Sequence, residues 1–245
     1  MGGFYSTSRA TTSALYHGIE SSLKLPAHSA RYNPSNTTLN VIPEMFHGLY
    51  KKVNDNTRYG LDAGVMCLGT TKYGTIFKWF YYGDSDTLTQ IWDDGDLPGC
   101  QIGDTITINT KLEGTPLSGG VRYIIKKGST VLLNTLLPVK NIAWINMYQG
   151  CEAMRMMSIA CNGTSVNLTA QCASFSQAEF SNSKLATAVG SSVDLSASNS
   201  TNTPHADLGW PFPDLQNPSI PSSLRYGTVT TGTTSVKDVG HCYYR

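Results

Sequence analysis

The sequence predicts an all-β chain of antiparallel strands packed in two layers, and three observations lead there. The run 76–82, IFKWFYY, carries large apolar side chains on both alternating faces. Only a central strand covered on both sides tolerates that. The run 104–112, DTITINTKL, instead alternates: Ile106, Ile108 and Leu112 point one way, Thr105, Thr107, Asn109 and Lys111 the other. This is the pattern of a half-buried antiparallel strand. The first run is bracketed by turn chemistry, Gly69 to Gly74 before it and Gly83-Asp84-Ser85-Asp86 after it.

The remaining elements follow in order. Residues 1–40 are polar and punctuated, with one short apolar segment, ALYHGI at 14–19, and a turn at NPSN, 33–36. Residues 41–50 predict a strand whose start Pro43 places at an edge, because proline cannot donate to a ladder. After the aromatic run comes an acidic loop holding Asp84, Asp86, Asp93, Asp94 and Asp96. Residues 121–125 and 130–133 flank KKGS, 126–129, and read as a hairpin. CEAMRMMSI, 151–159, is made of helix-favouring types, yet its neighbours are strands and it is read as one. A further strand is expected at 175–180, then a long Ser/Asn/Pro-rich loop at 191–223 packed locally by Trp210 and Phe212, and a return to β character at 226–244.

Composition narrows the function classes. With 245 residues, 40% hydrophobic and 10% aromatic, the chain suits one β-sandwich domain over residues 1–245. Charged residues are only 14%, and Ser, Thr, Asn and Gly abound, as in secreted β proteins. Secretion is therefore expected, with the leader absent from this chain, since the start MGGFY has no basic residue and no hydrophobic run. A net charge of +1 with no basic patch argues against a nucleic-acid partner, and Lys51-Lys52 and Lys126-Lys127 read as solvated turns. No apolar run is long enough to insert in a membrane. The six cysteines form no CxxC pair, and with the histidines they give no zinc pattern. At least one disulfide is expected, between Cys161 and Cys172, which bracket a polar turn between two strands expected to pair as a hairpin.

Five motifs in order resemble the glutamic peptidases, the eqolisin family. His47-Gly48-Leu49 is similar to the family's Val-Gly-Ile strand, and Leu61-Asp62-Ala63-Gly64-Val65, with Cys67 just beyond, to its Leu-Gln-Thr-Gly-Val. KWFYYGD, 78–84, resembles Trp-Tyr-Glu-Trp-Tyr-Pro-Asp; Gly103-Asp104-Thr105-Ile106 matches Gly-Asp-Thr-Ile; FSQAEFSN, 175–182, is similar to the late Phe-Gly-x-Val-x-Phe-x-Asn. The resemblance spans 45–182 and implies a concanavalin A-like, jelly-roll sandwich of two antiparallel sheets. It also implies that the catalytic pair is gone. The family's Gln, which supports the oxyanion, falls at Asp62, and its Glu, the general base, at Ser158 or Ala160. No residue is therefore expected to be catalytic. Asp62, Lys78, Phe80, Tyr82 and Ser158 are instead expected to share the concave face, with Phe77, Trp79 and Tyr81 turned into the core. Without the resemblance, Asp62 reads equally as a residue closing the turn after Tyr59-Gly60.

Other chemistries find little support. The aspartates of the acidic loop suit calcium by type, but Asp93-Asp94-Gly95-Asp96 lacks EF-hand spacing, and no metal or cofactor is expected. No Gly-x-Ser-x-Gly elbow accompanies the serines and histidines. Among Glu20, Glu44, Glu113, Glu152 and Glu179 no same-strand pair exists for a glycosidase, and only Glu179 is expected to approach Asp62. Met147, Met154, Met156 and Met157 read as core filler. The expected role is binding of a glycan or an extended polypeptide on the concave sheet. The alternatives are a diverged acid hydrolase using Asp62, or a structural surface or filament subunit. The oligomeric state is left open.

Overall fold

In the computed structural model, sixteen strands among the described residues fall into two antiparallel sheets. It describes residues 4–30, 41–54, 57–68, 77–85, 91–115, 118–138, 146–161, 172–187, 190–204, 230–231 and 236–243. The first sheet has seven strands, ordered β14 (Ser200–Pro204), β1 (Phe4–Thr12), β11 (Glu152–Cys161), β4 (Val41–Asn54), β5 (Thr57–Cys67), β6 (Phe77–Ser85), β7 (Ile91–Asp96). The second runs β10 (Thr130–Pro138), β9 (Gly120–Lys127), β8 (Thr105–Glu113), β2 (Gly18–Lys24), β12 (Cys172–Ala186), β16 (Val236–Tyr243), β15 (Thr230–Thr231). Two short strands, β3 (Ala27–Ser29) and β13 (Ser192–Asp194), pair with β12.

Alternation builds the core between the sheets. On β8, Ile106, Ile108 and Leu112 are buried while Thr105, Thr107, Asn109 and Lys111 stay at least partly exposed. They meet Leu49, Leu61, Val65 and Phe77 from the first sheet in one cluster. Burying each such side chain stabilises the fold by about 1.5–3 kcal/mol. Trp79 and Tyr81 pack against the same cluster, their rings stacked 6.2 Å apart. Trp79 lies over Gly95 of β7, where an added Cβ would sit 2.5 Å from the indole. The glycine is what lets the indole reach the core.

A polar network ties the sheets together inside this core. His47 of β4 bonds Ser21 Oγ at 3.0 Å and Thr110 Oγ1 at 3.3 Å, and stacks on Phe180. Ser21 Oγ lies 2.7 Å from Ser183 Oγ, which also accepts from Arg155 at 2.7 Å. Burial, with the Arg155 charge adding to it, pushes the imidazole down to about 3. Burial alone pushes Arg155 down to about 10. A network of this kind fixes how the sheets sit, because a displaced member would leave buried polar atoms unpaired.

Several expectations are corrected. The polar first segment contains β1, β2 and β3, and β2 is central in the second sheet. The acidic loop ends in a strand: Asp93, Asp94 and Asp96 belong to β7 at the sheet edge, where charges oppose further strand addition. β4 lies inside its sheet, although Pro43 falls one residue short of the ladder with β5 and pairs only with β11 there. The long loop contains β13 and β14, while residues 205–223, with Trp210 and Phe212, lie outside the described residues. The strands that end at Cys161 and begin at Cys172 belong to different sheets and do not form a hairpin. Their side chains, like that of Cys242, lie outside those described; Cys67, Cys100 and Cys151 are buried free thiols. No helix among the described residues is long and apolar enough to cross a membrane.

Candidate functional site

The outer face of the seven-stranded sheet, turned away from the inter-sheet core, gathers the residues expected to bind. Register arranges them in rows across the strands. One row runs Trp92 (β7), Tyr82 (β6), Asp62 (β5), Gly48 (β4), Met154 (β11). Two residues along comes Asp94, Phe80, Gly64, Phe46, Met156, and two further Asp96, Lys78, Met66, Glu44, Ser158. Successive rows stand about 7 Å apart along extended strands.

The central part of this face is apolar and closed. Ile42, Phe46, Met66, Leu68, Phe80, Met154 and Met156 form a second cluster, each no more than 5% exposed. Phe46 and Phe80 meet edge to face at 5.9 Å across the position of Gly64, which offers no side chain to separate them. Met154 and Met156 are thus filler here, as Met147 and Met157 are in the main core.

The open part lies at the β6–β7 edge. Trp92 is 51% exposed and stacks on Phe80 at 5.8 Å, with Tyr82 tilted against it at 6.3 Å. Phe80, although buried, props up an exposed indole. Lys78 donates to Asp94 at 2.6 Å beside this platform. Asp62 stands one strand inward of Tyr82 and accepts a hydrogen bond from the Tyr50 hydroxyl. Two glycines set that contact: a Cβ at Gly48 would lie 2.3 Å from the Tyr50 ring, and one at Gly60 2.4 Å from its other side. The phenol lies across both and aims at the carboxylate.

Glu44 is an acid on this face that sequence reasoning did not place there. It shares a row with Ser158, directly across from it on β11. Burial pushes its carboxyl up to about 8, and the Asp62 charge adds to the rise. Ser158 is fully buried, and its Oγ has no hydrogen-bond partner among the described residues. The available signal was the alternation Ile42, Glu44, Phe46, which puts one acid on an otherwise apolar face.

The structure therefore brings together only part of the expected set. Of that set, Asp62, Lys78 and Tyr82 stand at accessible surface together with Trp92, which the sequence did not single out; Phe80 is buried under the indole, and Ser158 is buried beside Glu44, three strands from Lys78. Ser158 stands two rows and two strands from Asp62, so no dyad geometry links them. Glu179 is on β12 in the other sheet, not beside Asp62. Among the described residues no three His, Cys, Asp or Glu side chains converge as metal ligands.

No family model matches the sequence, and no curated protein matches it significantly. Solved structures do. SCP-B, an eqolisin-family peptidase solved with the tripeptide Ala-Ile-His, aligns over 99% of this chain and 98% of its own, with a TM-score of 0.51 and 11% identity. The catalytic domain of an endo-1,3-beta-glucanase (laminarinase) from Thermotoga petrophila RKU-1 aligns over 64% of this chain and 67% of its own, with a TM-score of 0.36 and 11% identity. The fold is thus an antiparallel two-sheet sandwich of the eqolisin kind, as the motifs implied.

Proposed function

We propose that this chain is a non-hydrolytic binding protein whose ligand, a glycan, lies on the outer face of the seven-stranded sheet at the β6–β7 edge. The observation that carries this reading is Trp92, an exposed indole held flat by Phe80 and Tyr82. Such a platform offers an apolar face to the C–H side of a sugar ring, while its polar surroundings meet the hydroxyls. Asp62, Asp94 and Lys78 supply those polar groups within the neighbouring rows. An extended polypeptide fits less well, because docking by strand addition would have to pair with β7, whose aspartates oppose it. An extracellular setting belongs to the proposal and rests on low charge and hydroxyl-rich strands. Affinity electrophoresis through gels containing soluble polysaccharides tests the reading. Retardation of the native protein in at least one gel, lost in Trp92→Ala, supports it; free migration in all of them, with retention by denatured casein, replaces the glycan with a polypeptide.

A second reading, an acid hydrolase built on Asp62, is favoured by one observation: Glu44 and Asp62 are electrostatically coupled on one face. Against it, Asp62 has no second carboxyl in its row, and the buried Phe46–Phe80 pair occupies the row between the two acids. Incubation with casein and with polysaccharide across acidic pH decides: cleavage lost in Asp62→Ala would establish the hydrolase.

A further inference from the structure

A cavity of about 500 Å³ opens on the second sheet, on the side away from the platform. Its floor is set by register, with Glu20, Asn109 and Ile124 in one row and Gly18, Lys111 and Arg122 in the next. Gly18 contributes no side chain to its row, and a Cβ there would run into Thr110 and Lys111 of β8. His17 and Tyr148 also line it.

The hydrogen-bond inventory of this cavity is unbalanced in a specific way. Arg122 is already satisfied, donating to both carboxylate oxygens of Glu113 at 2.7 and 3.1 Å and to Asn134 at 3.3 Å. Asn109 spends its amide N–H on Glu20 at 2.6 Å and keeps its carbonyl oxygen. Lys111 makes no hydrogen bond or ion pair among the described residues; its charge acts only at longer range on the Glu113 carboxyl, so its ammonium donors are available to a ligand. His17 donates from Nε2 to the Tyr148 carbonyl at 3.1 Å, so Nδ1 of the neutral ring is an acceptor. That Nδ1 is buried and has no partner among the described residues. A buried polar atom left unpaired costs about 1–3 kcal/mol, which a ligand group supplying the partner would recover.

We propose that this cavity is a second ligand site, for a monoanionic hydroxy acid of sugar size such as a uronic acid. Its carboxylate pairs with Lys111, and hydroxyls donate to His17 Nδ1 and to the Asn109 carbonyl. Lys111 and Arg122 against the Glu113 carboxylate leave one net positive charge among the lining residues, which suits a single negative charge and disfavours a phosphate dianion. The volume lies within the range of small-ligand pockets. Nothing in this assignment depends on the Trp92 platform.

The test is a titration of the whole chain with sodium D-glucuronate, followed by amide chemical shifts, with D-glucose and inorganic phosphate as parallel probes. The expected result is saturable shifts confined to residues 17–18, 109–114, 122–124 and 148. Lys111→Gln is expected to weaken binding roughly tenfold, as loss of a charge-assisted bond does, and Lys111→Arg to restore most of it. His17→Phe is expected to weaken it. Glucose binding as tightly as glucuronate, phosphate binding more tightly, or no saturable shift with any probe, would overturn the proposal.

Discussion

Glu44→Gln isolates the ionisation of the one carboxyl on the closed part of the outer face. The native carboxyl lies at about 8 against an ordinary 4.5. Between those values the folded chain holds a proton that the unfolded chain has released, so stability falls as pH rises across that window. At about 1.4 kcal/mol per pH unit the full penalty is about 5 kcal/mol. Glu44 keeps part of its surface in solvent, and screening there reduces the expected loss to about 2–3 kcal/mol. His47 acts in the opposite direction. Its imidazole is lowered from 6.5 to about 3, so the unfolded chain takes up a proton first and stability falls as pH drops through that range. The native protein is therefore expected to be most stable where the windows overlap, between about 4.5 and 6.5. Glutamine reproduces the neutral carboxyl, so Glu44→Gln should lose the alkaline decline and keep the acid one. Urea unfolding of both proteins at pH 5 and pH 8.5 reads this directly, with unchanged m-values showing that only stability has moved. Parallel losses in the two proteins would refute the reasoning.

Gly48→Ala places a methyl 2.3 Å from the Tyr50 ring, and is expected to cost about 1–3 kcal/mol in thermal or urea unfolding as overpacking does. It should also swing the hydroxyl off Asp62. Thiol labelling of the unfolded, unreduced protein should find four reactive groups, Cys67, Cys100, Cys151 and Cys242, if Cys161 and Cys172 are bridged; six would rule the bridge out. Calcium addition or chelation is expected to leave the melting temperature unchanged, since Asp94 is engaged by Lys78; a clear shift would reassign β7 as a cation site.

Strands were legible where the buried face is apolar throughout; β2, whose buried face includes Ser21, was not. The alternation of β8 predicts its core residues, and the hairpin of β9 and β10 is announced by its Gly128-Ser129 turn, with Gly128 at φ 58°. β7 was hidden because its aspartates and glycine have low strand propensity, and what holds it is Trp79 packed on Gly95. The aromatic run β6 reveals that both faces are covered, but not which faces the partner sheet; that came from the eqolisin resemblance. For the candidate site, periodicity places Asp62, Lys78 and Tyr82 on the side of their strands where they stand. Position within a row is a long-range quantity. Nothing local in residues 41–50 or 151–161 says that Glu44 faces Ser158 or that Tyr50 leans over Gly48 toward Asp62, because cross-strand register sets both. Burial of Phe80 and Ser158 is equally nonlocal, and so their expected role as contacts gives way to one beneath the surface.

Tryptophan emission during oligosaccharide titration tests the central claim most directly, because the claim places a sugar ring on Trp92. With an oligosaccharide drawn from whichever polysaccharide retards the native protein, the emission of Trp92 should change saturably. Trp92→Phe should lose that emission change while keeping most of the affinity, since an aromatic face remains; Trp92→Ala should lose both. An emission change that persists in both variants, or binding undiminished in Trp92→Ala, would contradict the account.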